Sequence, residues 1–245
     1  MHTDTQPAGT TAAAGKPPKD VRGFWRVLLA VIAPLPMLAQ GLYYILWPSD
    51  SNATFPQSVQ DTTDHLGLIG ALQWIETPFL VGLIPATFAV AWVARRGAPR
   101  LATIGALLAL VGDLAGFPLI PNGDRLAYLT AEQHLDVPAM TALSDAQENY
   151  LLGQLAGLLF IIGITVGLLL LGLALWRSKA APAWMGWALA IGGFTHPFVS
   201  GLVPGYIAQG LGLWVAAAGF AGASYALLRM RDDEFDLPPQ TRTIA

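Results

Sequence analysis

Residues 151–176, LLGQLAGLLFIIGITVGLLLLGLALW, decide the fold: they carry no charged side chain, and Arg177 and Lys179 follow at once. A bilayer core about 30 Å thick needs roughly 20 apolar residues at 1.5 Å rise each, so this run is a membrane span. Working outward, similar runs fall at 24–47, 66–94, 101–120, 183–203 and 206–229, and with 149–176 they make six expected spans. The chain is 54% hydrophobic and 12% charged, with a mean hydropathy of +0.51, more apolar surface than a water-soluble domain of 245 residues can bury. The expected fold class is all-α: a polytopic membrane protein with a six-helix transmembrane bundle at 23–230. Residues 1–22, rich in Thr, Ala, Gly and Pro, are expected as a disordered tail, and 231–245 as a second short tail. The apolar part of the first run covers 24–47, whereas a signal-peptide core has about 7–15 residues, so it is expected to be retained.

The charges set the expected orientation. Lys16, Lys19, Arg22 and Arg26 precede the first span, and Arg95, Arg96 and Arg100 fill the second connection. Arg177 and Lys179 fill the fourth, and Arg229, Arg231 and Arg242 follow the last span. Arg125 alone falls on the other side. Positive residues stay cytoplasmic, so both termini are expected inside the cell (plasma) membrane, with basic connections facing anionic lipid head groups. Asp50, Asp61, Asp64, Asp124, Glu132, Asp136, Asp145 and Glu148 lie in the outer loops. An acidic exterior with no concentrated basic face argues against nucleic acid as a partner; the expected partners are the lipid bilayer and a small hydrophobic molecule.

Several chemistries are excluded or weakened. The chain has no cysteine, which removes disulfides, iron–sulfur ligation, thiolate haem ligation and cysteine nucleophiles. No Walker, Rossmann or other glycine-rich phosphate loop occurs, and no cofactor is expected. In the outer loop 121–148, Pro138 followed by Ala, Met, Leu and Glu predicts a surface helix near 138–148 that could lie across the mouth of the bundle. Small residues four apart, Gly112 with Gly116, Gly163 with Gly167 and Gly201 with Gly205, predict close helix packing within the bundle. Pro34, Pro36, Pro78 and Pro85 are expected to kink the first two spans. Tyr43, Tyr44 and Trp47 read as an interfacial aromatic belt.

Polar residues inside the spans form a layer in the expected outer half. Glu76, Asp113 and His196 are the candidate catalytic or proton-carrying groups. Gln40, Gln73, Trp74, Gln154 and Gln209 are candidate ligand contacts, although Gln154 and Gln209 read more readily as interhelical hydrogen-bond partners. A charged Asp at a span centre costs about 2.5–3.5 kcal/mol on insertion scales, so such acids face the bundle interior and find partners. His196 and His65 are the basic partners expected at that depth. Glu76, Asp113 and His196 are expected to converge from three helices on one outward cavity. Two carboxylates and a histidine could hold a divalent ion, but zinc spacings such as His-Glu-x-x-His are missing, and no metal is expected. Ser200 lies one turn from His196 without a Gly-x-Ser-x-Gly context, and haem between His65 and His196 is weakly indicated.

A shift of 83 positions superposes Ala98-Pro99 on Ala181-Pro182 and Leu119-Ile120-Pro121 on Leu202-Val203-Pro204, and sets Asp113 opposite His196. The inner turn Trp176-Arg177-Ser178-Lys179 with Pro182 resembles that of a broad group of uncharacterised actinobacterial six-helix integral membrane proteins, loosely over spans 2–6. That resemblance implies the fold and no activity. The functional expectation is an outward-facing intramembrane cavity that binds or transports a small hydrophobic molecule, with proton coupling open. The alternatives are an intramembrane cyclase or hydrolase using Glu76 and Asp113 in acid–base chemistry, and a non-catalytic assembly or sensory subunit.

Overall fold

The structure, a computed structural model, describes residues 19–119, 122–202 and 205–236, without the side chains of 118, 196, 197 and 199–202. Every regular element among the described residues is helical. The first apolar run forms α1 (Arg22–Ile32) and α2 (Leu35–Leu46), broken at Ala33-Pro34 because Pro34 donates no backbone hydrogen bond. Next come α3 (Phe55–Asp64), α4 (Leu66–Ala94) and α5 (Pro99–Gly116), the last extended by a 3-10 turn over Phe117–Leu119. The loop helices α6 (Gly123–Glu132) and α7 (Val137–Glu148) precede α8 (Leu151–Ser178), α9 (Ala183–Leu202), α10 (Tyr206–Arg229) and the one-turn α11 (Asp232–Phe235). The predicted surface helix is α7: Asp136 caps it by accepting from the Ala139 amide at 2.9 Å, and Pro138 sits in its first turn. In contrast to the first run, α4 passes through Pro78 and Pro85 as one helix.

Five stretches are long and apolar enough to cross a membrane: Arg22–Leu46, Leu66–Ala94, Pro99–Gly116, Leu151–Ser178 and Tyr206–Arg229. The chain is a multi-pass membrane protein. Large apolar side chains such as Val81, Phe88, Leu158, Ile191 and Ile207 point outward, where a lipid bilayer accommodates them at no cost. The sixth run forms the 20-residue helix α9, part of whose side chains lie outside the described residues.

The long helices close a ring. α2 packs on α4, α4 on α5, α5 on α8, α8 on α9, α9 on α10, and α10 returns to α2. Small residues let the backbones approach, because in lipid the attraction between helices is van der Waals contact rather than water exclusion. A Cβ on Gly163 would come within 2.6 Å of the Gly112 Cα, and one on Gly167 within 2.5 Å of the Ala109 nitrogen. The seam continues around the ring at Gly172 against Ala190, Gly192 against Ala216, Gly219 against Leu189, and Gly41 against Gly210.

The end where α1 starts and α10 finishes is tied by polar contacts. Arg26 donates to the Leu227 carbonyl at 3.0 Å and pairs with Asp232 at 2.9 Å, meeting an open carbonyl at the end of α10. The Trp92 indole donates to the Phe235 carbonyl at 3.1 Å, and Phe235 is buried beside it. The start of the carboxyl-terminal tail is thus docked on the bundle. α3, α6 and α7 pack together at the opposite, distal end.

Tyr43, Tyr44 and Trp47 correct the aromatic-belt expectation. Tyr43 and Trp47 are buried and stacked at 4.9 Å, and Tyr44 stacks on Tyr206 at 5.5 Å, so the rings form an internal cluster at the distal end. α2 turns this face toward α4 and α10 rather than toward lipid.

Candidate functional site

Inside the ring lies a cavity of about 190 Å³ to which all the long helices from α2 to α10 contribute. Gln40 and Tyr44 of α2, Glu76 and Phe79 of α4, and Asp113 of α5 line it. Phe160 and Ile164 of α8, Gly192 of α9 and Leu213 of α10 complete the wall. It extends to Asn122, the residue that caps α6 at the distal end, where its side chain accepts from the Arg125 amide at 2.9 Å. Most of the wall is hydrocarbon and aromatic ring, with a few polar groups converging on it, the usual make-up of a small-molecule site.

The two acids, Glu76 half-buried and Asp113 buried, are held in different ways. Glu76 Oε2 accepts from the Arg125 guanidinium at 2.7 Å, and the same guanidinium reaches Gln73 Oε1 at 3.1 Å. Helix α6 therefore reaches down onto α4 through one arginine fork, which matches a carboxylate better than a lysine would. Asp113 is only 5% exposed and has no cation beside it among the described residues; Oδ2 accepts from the Thr87 hydroxyl at 3.2 Å. Thr165, also in the wall, gives its hydroxyl to the Gly193 carbonyl at 3.2 Å. Gln40 is 7% exposed, and its Oε1 has no donor among the described residues.

Glu76, Asp113 and Gln40 thus meet one cavity. Gln73 sits above it under Arg125, and its Nε2 lacks an acceptor among the described residues. Gln209 is buried in α10. Two expected ligand contacts are corrected. Trp74 is 79% exposed on the outside of α4, because the two-position step from Trp74 to Glu76 carries a side chain to another face. Gln154 is exposed in the first turn of α8 and donates to the Glu148 carbonyl at 2.9 Å, a local cap rather than an interhelical bond. The side chain of His196 lies outside the described residues. His65 is exposed, its Nδ1 2.9 Å from the Asp61 carbonyl, and the cation beside Glu76 is Arg125, not a histidine.

Arg125 is the residue that sequence reasoning passed over. It was visible as the one basic residue on the acidic side of the chain, and a carboxylate within a span, such as Glu76, needs a positive partner. Its neighbour Asp124 lies close enough to feel the Glu76 charge. Burial first, and that charge second, push the Asp124 carboxyl up to about 6. Among the described residues no three His, Cys, Asp or Glu side chains are grouped as a metal site would need.

No family model matches the chain, and no curated protein or solved structure is similar to it.

Proposed function

We propose that this protein is a six-span plasma-membrane protein with cytoplasmic termini whose cavity opens outward and binds a small, mainly apolar molecule for recognition or passage. The observation that carries the reading is a cavity walled by every long helix after α1, with Asp113 and Gln40 buried in its lining. Its volume of about 190 Å³ suits a molecule somewhat larger than benzene, which occupies an engineered apolar cavity of about 150 Å³. The orientation rests on the basic side chains gathered at the end where α1 starts and α10 finishes.

Acid–base catalysis is the weaker reading. Glu76 already accepts a hydrogen bond from Arg125, and the hydroxyls of Thr87 and Thr165 are donated to Asp113 and to the Gly193 carbonyl. Groups so committed stabilise a bound state more readily than they exchange protons with a substrate.

The test is binding of toluene to the full-length protein in phosphatidylcholine nanodiscs, read as a rise in Tm. Leu80→Trp, which adds volume to the lining, serves as the blocked control. A rise in the wild type that disappears in Leu80→Trp supports the reading. An equal rise in both reports partition into lipid and overturns it.

A further inference from the structure

We propose that the cavity is selective for small apolar amines, with Asp113 and Gln40 taking the ammonium group. The inference rests on the binding role proposed above and adds the ligand class.

Two acceptors in the wall receive no donor among the described residues. Thr87 and Thr165 have hydroxyls, but both protons are already donated, to Asp113 and to the Gly193 carbonyl. Asp113 is left with one carboxylate oxygen that receives no donor among the described residues. Gln40 Oε1 lacks a donor and is buried in the same lining. Acceptors without a donor in an apolar cavity favour a ligand that brings one.

The charge narrows that donor further. Glu76 has its cation in Arg125, whereas Asp113 has none among the described residues. A carboxylate at membrane depth needs a positive partner, either a proton or a cation brought by the ligand. An ammonium group supplies the charge and has three protons to donate, enough for both acceptors. Phe79, Phe160 and Tyr44 add ring faces that attract a cation, and the hydrocarbon of Leu83, Ile164 and Leu168 accommodates an apolar body. A neutral hydrocarbon leaves both acceptors unmet, and an anion adds repulsion to them.

Benzylamine, benzyl alcohol and toluene share a ring and differ in the head group. Their affinities for the full-length wild type in phosphatidylcholine nanodiscs at neutral pH should rank in that order, with the amine at least tenfold tighter than toluene. Asp113→Asn should lose the preference for the amine over toluene by tenfold or more. Gln40→Leu should weaken the amine relative to toluene several-fold. The ranking uses unaltered protein and does not depend on either variant folding. Toluene and benzylamine binding equally, with both lost in Leu80→Trp, would overturn the amine assignment and leave the cavity function standing. Binding of neither would overturn both.

Discussion

Arg125 and Glu76 join across 2.7 Å, and through this pair the loop helix α6 is fastened to the membrane helix α4 beside the cavity. The two side chains retain 27% and 12% of their exposure, so the pair is shielded but not dry. Breaking a shielded pair from one side leaves an uncompensated charge, which costs more than the pair contributed. Arg125→Met should therefore destabilise the protein by ~1–3 kcal/mol. Glu76→Gln keeps an acceptor for the guanidinium and should cost less. Combining Arg125→Met with Glu76→Gln should recover part of the loss, and a double-mutant cycle by thermal denaturation in detergent measures the coupling. Strict additivity would show that the pair does not hold α6.

Asp124 gives a pH dependence whose sign is fixed. Its folded value of about 6 lies above the ordinary aspartate value of 3.8, so between these limits the folded state binds more protons than the unfolded state. Stability therefore falls as pH rises through that window, and the cost is fully present above pH 6. Asp124→Asn should raise stability at pH 7 by up to about 3 kcal/mol and flatten this part of the profile. Tm measured from pH 4 to pH 7.5 checks it; an unchanged slope would refute the assignment.

The glycine seam predicts opposite outcomes for one substitution at two sites. A Cβ at Gly163 would press on the Gly112 Cα at 2.6 Å, whereas at Gly157 the nearest neighbour is the Leu119 Cδ1 at 4.0 Å. Gly163→Ala should cost ~1–3 kcal/mol by forcing α5 and α8 apart. Gly157→Ala meets open space and should be neutral or stabilising by about 0.5–1 kcal/mol, because alanine loses less chain freedom in a helix. Thermal stability of the two variants in the same detergent decides it.

Orientation is checked by fusions to the carboxyl terminus. A fluorescent protein there should be bright and an alkaline phosphatase inactive. An active phosphatase would place the termini outside and overturn the six-span reading with the outward cavity.

The sequence by itself located the long apolar helices and α7, but not the loop helices α3 and α6. Span length follows from bilayer thickness, and α8 at Leu151–Ser178 and α10 at Tyr206–Arg229 fall where their apolar runs lie. The α7 start at Asp136-Val137-Pro138 and the break at Ala33-Pro34 were equally local, since caps and prolines act on the adjacent turn. Only the tertiary structure decided which way each polar residue faces. In water, apolar periodicity marks the inner face of a helix. The cost of a charge in lipid turns Glu76 inward, but both faces of α4 are apolar, so nothing in the sequence showed that Trp74 faces outward. The meetings of Arg125 with Glu76 and of Thr87 with Asp113 join residues far apart in sequence, and α6 had to fold back over the bundle before its arginine could reach α4. The spans were written in local hydrophobicity; the site arose from helix rotation and the packing of a loop helix.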